Sequence, residues 1–241
     1  MKPILSLEGV SRIHGSGRTK VDALIDVTLH LEPGEMVAIM GPSGSGKSTL
    51  LSLAGGLDAP TTGRVLIDGV DLASLGGTEL AAMRRRRLGY VFQQFNLIES
   101  LTAAENVSLP LELDGVPVRA ARVAAGQALE RVGIESLADR FPDELSGGEQ
   151  QRVAIARATV GERTFLLADE PTGALDSMTG EAVLRLLRGH ADAGGSGLLV
   201  THDARYAAWA DRVVFLRDGR VAGQTERPPA AESLLRGPGS R

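Results

Sequence analysis

Met36-Val37-Ala38-Ile39-Met40-Gly41-Pro42-Ser43-Gly44-Ser45-Gly46-Lys47-Ser48-Thr49 is the stretch whose reading decides the fold. Met36 to Met40 is a short, mostly apolar run that reads as a buried strand. A glycine loop follows, and a helical pattern begins near Lys47, which is the order of a parallel α/β sheet. Gly41 to Ser48 satisfies GxxxxGK[ST] in the strand-loop-helix context that the pattern requires. Glycines at 41, 44 and 46 allow backbone angles that β-carbons forbid, so amides along Gly41, Ser43, Gly44, Ser45 and Gly46 can converge on phosphates at a helix N-terminus. Lys47 adds a point charge there, Ser48 offers a hydroxyl to Mg²⁺, and Thr49 completes the candidate nucleotide contacts. A Gly/Ser-rich linker matching by chance would lack the flanking strand and helix.

Far downstream, Phe165-Leu166-Leu167-Ala168-Asp169-Glu170 is an apolar run ending in two carboxylates, which places both at the ligand-binding edge of a parallel sheet. Asp169 suits the Mg²⁺ shell, directly or through water, and Glu170 can accept a proton from an attacking water. Such a pair alone is as readily a solvated strand end. Beside a phosphate loop it becomes the second half of a nucleotide site.

Short buried strands are also expected at Leu198 to Thr201 and Val213 to Leu216, with helical patterns at Thr179 to Leu187 and Ala204 to Ala210. Leu5 to Glu8 and Ile25 to Leu31 alternate apolar and polar residues, so they read as half-buried antiparallel strands. The stretch at about 97–160 is mostly helical, with Val118 to Val132 amphipathic, Pro142 breaking the chain and another helix from Ser146. The expectation over residues 1–241 is one α/β domain: a P-loop core of mixed sheet flanked by helices, an N-terminal antiparallel β layer and an inserted helical subdomain. The Pro- and Gly-rich tail from about 227 to 241 reads as a loose strap.

With 43% apolar and 23% charged residues, the 241-residue chain has the composition of a folded globular protein. Its 26 basic and 30 acidic side chains leave a net charge of -4, so there is no overall positive field to hold phosphodiester chains, and no nucleic acid is expected as a partner. Arg84-Arg85-Arg86-Arg87 reads instead as a solvated face or an interface. The absence of cysteine excludes disulfides, thiolate metal sites and cysteine nucleophiles, and suits a cytoplasmic setting. The N-terminus meets charge before a leader's apolar region could form, and no apolar stretch approaches the roughly 20 residues of a membrane-spanning helix. Membrane association would come through a partner.

Leu145-Ser146-Gly147-Gly148-Glu149-Gln150-Gln151-Arg152 narrows the reading. Ser146 followed by Glu149 has the spacing of a capping box, and Gly147-Gly148 bares amides at a helix start, a second anion site. The segment resembles the LSGGQ signature of ABC ATPases, with Glu149 where the commonest form has Gln. Other family elements follow in order: Gln93 in Val91-Phe92-Gln93-Gln94, Asp176 in Gly173-Ala174-Leu175-Asp176, and His202 in Thr201-His202-Asp203. A lone Gln, Asp or His is ordinarily a surface or capping residue; the ordered set is what carries the resemblance.

The resemblance implies an ATP- and Mg²⁺-dependent ATPase that works as a two-fold dimer. One chain's phosphate loop and the other's Ser146, Gly147, Gly148 and Glu149 would sandwich each ATP. It further implies that Gln93 senses Mg²⁺ and the water and couples to a membrane partner, that His202 contacts the γ-phosphate, and that Asp176 reaches across the dimer. His14 stands where the family stacks adenine on an aromatic, commonly Tyr; imidazole can still stack, more weakly. Gln94-Phe95-Asn96-Leu97 and Pro171 to Ser177 resemble the branch of macrolide exporters and lipoprotein-release ATPases; for this chain the resemblance implies a separate transmembrane permease as partner and a place on the cytoplasmic face of the membrane. That branch also contains mechanical transmitters for cell-wall enzymes and peptide-antibiotic resistance. Chromosome-maintenance and translation ATPases of the family need a coiled-coil insertion or a second cassette, and a GTP-type switch would leave Ser146 to Arg152 and His202 without a purpose.

Overall fold

The computed structural model describes residues 2–173 and 175–226. Its strands are β1 (Leu5–His14), β2 (Val21–Leu31), β3 (Met36–Met40), β4 (Thr62–Ile67), β5 (Val70–Asp71), β6 (Leu88–Val91), β7 (Phe165–Asp169), β8 (Ser196–Val200), β9 (Arg212–Arg217) and β10 (Arg220–Glu226). Its α-helices are α1 (Lys47–Ala54), α2 (Gly77–Arg87), α3 (Ala103–Glu112), α4 (Val118–Arg131), α5 (Gly147–Thr159), α6 (Ser177–Asp192) and α7 (Ala204–Ala207). An antiparallel sheet has the order β2-β1-β4-β5. A mixed sheet has the order β10-β9-β3-β8-β7-β6, parallel from β9 to β6 with β10 antiparallel at the edge.

The parallel strands are buried on both faces, so their sequences show no polar alternation, yet the pleat still sorts them. Val37, Ile39, Phe165, Leu167, Leu198, Val200, Val214 and Leu216 face the antiparallel sheet and α1 in one core cluster. Met36, Ala38, Leu166, Ala168 and Leu199 face the opposite way, into a cluster completed by Val107, Leu129, Val153, Ile155, Val183 and Leu184 from α3 to α6. Each fully buried Leu, Ile or Phe contributes about 1.5–3 kcal/mol of transfer free energy. The sheet is therefore clamped from both sides, and its C-terminal strand ends are held in fixed register.

Residues 97–160 carry α3, α4 and α5, which pack on one another and also share the second cluster with the sheet. Thr102 and Glu105 form a capping box at the start of α3. Buried Asn106 then ties down the preceding loop, accepting from Ile98 N and donating to the carbonyls of Ile98, Leu101 and Thr102.

Several elements differ from the sequence reading. The first strand continues to His14 because Gly9, at φ 58°, takes a left-handed conformation where the β1–β2 register shifts, a bulge that interrupts the alternation without ending the strand. The helical pattern at Ala204 to Ala210 yields α-helix only over Ala204–Ala207. Strands β4, β5, β6 and β10 and helix α2 had no counterpart in the reading. The four arginines form the last turn of α2, where cations meet the helix dipole favourably. Arg84 donates to Gly56 O at 2.6 Å and Arg86 pairs with Asp114 at 2.7 Å, while Arg86 and Arg87 stay exposed, so the run is a solvated face that also makes internal contacts. The tail read as a strap from about 227 lies outside the described residues.

Candidate functional site

The phosphate loop leaves β3 and turns into α1 under tight constraint. A β-carbon on Gly41 would sit 2.1 Å from Leu216 O, and one on Gly46, at φ 102°, would sit 2.4 Å from Ala23 O. Neither position admits any other residue, because β2 and β9 press the loop from behind. Gly46 is the N-cap of α1 and supplies no side-chain bond, so the first amides of the helix have no side-chain partner. Lys47 is nearly buried, and its ammonium donates to Gly41 O at 2.8 Å and Pro42 O at 2.9 Å. The buried Ser45 hydroxyl has no hydrogen-bond partner among the described residues. Bared amides and an orphan hydroxyl fit a polyphosphate, which would satisfy both and offer the folded-back Lys47 ammonium an anion in place of its two carbonyls.

At the end of β7, Asp169 Oδ1 lies 3.5 Å from Ser48 Oγ. Burial raises the Asp169 pKa, the Ser48 hydroxyl opposes that rise, the neighbouring Glu170 charge adds to it and Lys47 subtracts from it. A carboxyl so desolvated gains from an incoming cation. Among the described residues no group of three or more His, Cys, Asp or Glu side chains could hold a metal. A Mg²⁺ held by Ser48 and Asp169 would therefore take its other oxygens from phosphate and water, the habit of that ion.

Glu170 adopts a left-handed backbone at φ 43°, anchored by its N–H to Val200 O at 3.0 Å. The strain turns its carboxylate toward the end of β8, where Oε2 lies 3.0 Å from His202 Nδ1. Thr201 Oγ1 accepts from Asp203 N and shapes the turn that presents His202. Gln93 is close by: a β-carbon on Gly173 would meet Gln93 Nε2 at 3.3 Å and Glu170 Oε2 at 3.6 Å. Lys47 and Ser48 in the first turn of α1, and Asp169, Glu170, Gln93 and His202 from strand ends and loops, thus gather at one edge of the mixed sheet.

The second group stands apart. Ser146 caps α5, which packs on α3, α4, α6 and β6, whereas the phosphate loop packs on β2 and β9. The box is closed: Ser146 N and Ser146 Oγ both donate to Glu149 Oε2, at 2.8 and 2.7 Å. Those bonds, the side-chain one first, lower the Glu149 pKa. A β-carbon on Gly148 would press on Thr179 Cγ2 at 2.8 Å, so the glycine lets α5 approach α6. Asp176 caps α6, accepting from Met178 N and Thr179 N, and the Thr179 hydroxyl bond is the chief cause of its lowered pKa. His14 is exposed at the end of β1 opposite Val21. Among the described residues no hydrogen bond or ion pair joins His14, Asp176 or the Ser146 group to the phosphate loop.

One residue near the site escaped the sequence reading. Arg157, in the last turn of α5, donates to Phe95 O at 2.7 Å and Asn96 O at 2.5 Å, fastening the segment after Gln93 to the signature helix. Phe95 and Asn96 both have left-handed backbones, at φ 57° and 49°. The only signal was Asn96 itself, a residue tolerant of that conformation.

A family model described as ABC transporter matches residues 24–173. The chain belongs to the ABC transporter family. It is 46% identical over 227 residues to an uncharacterized ABC transporter ATP-binding protein of Thermotoga maritima, covering 94% of this chain and 97% of the relative. It is also 46% identical over 238 residues to the macrolide export ATP-binding/permease protein MacB 1/2 of Paracoccus denitrificans, covering 98% of this chain and 35% of the relative. The chain thus spans about a third of the length of such MacB relatives. Among solved structures, the ATP-binding cassette MJ0796, in a dimeric post-hydrolysis state bound to ADP and Pi, superposes with a TM-score of 0.87 at 43% identity, covering 93% of this chain and 99% of that one. CbiO1 of Clostridium perfringens, part of the transporter complex cbiONQ, gives 0.82 at 30% identity, covering 98% and 92%. This chain is a MacB-like ABC cassette, an ATP-binding and ATP-hydrolysing protein.

Proposed function

We propose that two copies of this chain hydrolyse Mg²⁺-ATP between them and use the closing and opening of the pair to drive a membrane permease. The observation that carries this reading is the division of the site. Phosphate loop, acidic strand end and His202 gather at one sheet edge, while the capped glycines at Ser146 sit on a different face of the same chain. A two-fold axis is the simplest way to bring the second group of one protomer to the first group of its partner.

In this reading the amides of 41–48 and Lys47 hold the β- and γ-phosphates. Ser48 and Asp169 would hold Mg²⁺, with Gln93 beside them as a further ligand in place of one water, and the ion would supply charge neutralisation at the phosphate oxygens. Glu170 takes the proton of the attacking water as oxygen bonds to the γ-phosphorus and the bond to the ADP oxygen breaks. His202, braced by Glu170, faces the departing phosphoryl group. His14 offers a face to adenine, and Asp176 lies at the seam between protomers. Loss of the γ-phosphate loosens the pair, so hydrolysis shifts its population from closed to open.

The partner would dock where Gln93 leads. A groove of about 1090 Å³ has Phe95, Leu97 and Glu99 on one wall and Phe141, Asp143 and Glu144 on the other. A second cleft of about 300 Å³ adjoins it at Asn96, with Tyr90, Phe92, Leu109 and Leu113 around Arg157. Among the described residues no helix is long and apolar enough to cross a membrane. The chain would then sit on the cytoplasmic face, held by its permease. The MacB relatives join an ATP-binding part and a permease in one protein by name, which supports a permease as the partner class. Reconstitution tests the reading: Mg²⁺-dependent ATPase activity that rises when a copurified multi-span permease is added supports it, and insensitivity to any membrane partner contradicts it.

A further inference from the structure

We infer that Glu149 is a built-in brake on the ATP-bound pair, a positioning residue whose charge and hydrogen bonds oppose closure on the partner's nucleotide. This rests on the paired reading above. The Ser146 hydroxyl, the group at the tip of α5 best able to donate to a phosphate, already donates to Glu149 Oε2 at 2.7 Å. The same oxygen takes Ser146 N at 2.8 Å. The reverse bond, from Glu149 N to Ser146 Oγ, is long at 3.4 Å. The tip is therefore held mainly through the carboxylate, and using its donors on a phosphate means breaking contacts to a full negative charge.

That charge is not otherwise spent. Among the described residues Glu149 has no ion pair; Arg152, the cation whose field reaches it, aims its guanidinium at Val132 O at 2.6 Å. The bonds from Ser146, the side-chain one first, lower the carboxylate's pKa and so favour its charged form. A triphosphate brought to this helix start thus meets a favourable dipole and bared amides, but also a fixed anion. The Gln of the commoner signature would keep the carbonyl oxygen that accepts from Ser146 and remove the charge. Both effects in this chain act in one direction: they weaken the closed pair without touching the phosphate loop that binds ATP first.

The test uses the full chain carrying Glu170→Gln, so that ATP is bound and not consumed. ATP-driven pairing is followed by light scattering against ATP concentration, in about 50 mM and about 500 mM salt, which respectively leave surface charges effective and screen them. Adding Glu149→Gln should lower the ATP concentration for half-maximal pairing by about five- to tenfold in low salt, and the gap should narrow in high salt. Mant-ATP binding to the monomer at high dilution should be unchanged. Glu149→Ala separates charge from capping: it should also tighten pairing while lowering the melting temperature. If Glu149→Gln pairs like its parent, or more weakly, the brake is wrong while the paired reading stands. If the parent itself stays monomeric with ATP, the paired reading falls and takes the brake with it.

Discussion

Helix α1 begins on a bare glycine, whereas α5 begins on a capping box closed by a carboxylate. Both starts are suited to anions through their dipoles and amides, yet only the first is ready. At α1 the orphan amides, the Ser45 hydroxyl and the folded-back Lys47 await an anion, and β2 and β9 hold the loop in shape. At α5 the Ser146 amide and hydroxyl are already engaged by Glu149, while the glycine amides stay bare. On the proposed reading, one chain binds nucleotide alone, while the second helix start engages only when closure of the pair opens its box. In the proposed reading, binding and hydrolysis are thereby divided between one protomer and two.

The largest expected effect tests the completed first site. Glu170→Gln should leave ATP affinity near that of the parent while phosphate release falls by about 10²-fold or more, the scale of a lost general base; near-normal turnover would remove Glu170 from that role. Next, Ser146→Arg places a bulky charge at the second helix start. Steady-state ATPase should drop by at least about tenfold with ATP binding to the monomer little changed, the split expected when only the closed pair uses Ser146. Arg157→Ala sharpens the comparison from the side, since it frees the Phe95 and Asn96 carbonyls from α5. Denaturant unfolding should show a loss of about 1–2 kcal/mol, the scale of hydrogen bonds from a charged donor to carbonyls on one half-buried and one exposed residue. The smallest effect concerns the nucleotide's far end: His14→Ala should weaken ATP binding by several-fold, with titration of a fluorescent analogue as the readout, because a stacking face contributes about 1 kcal/mol.

Much of this could be read before any coordinates. Met36 to Ser48 and Phe165 to Glu170 announced strand, loop and acid because their chemistry demands rare residues in a fixed local order. The Ser146–Glu149 box was also legible, since capping is local. The pleat-sorted double core was not, because strands buried on both faces carry no period. The Gly9 bulge hid half of β1, and the short strand β6 hid behind four arginines that looked like surface. Arg157 escaped for a different reason: its partners Phe95 and Asn96 lie some sixty residues upstream, and backbone carbonyls leave no mark on a sequence.

Cross-linking between two different copies tests the division of labour most directly. The chain has no cysteine, so single thiols report without background. One population would carry Glu170→Gln with Ser43→Cys in the phosphate loop, and the other Glu170→Gln with Ser146→Cys at the cap of α5. Mixed with ATP and a short bifunctional thiol reagent, they should give an interchain product that disappears without nucleotide. If ATP yields no product joining Ser43→Cys of one copy to Ser146→Cys of another, the two helix starts do not share a nucleotide and the account is contradicted.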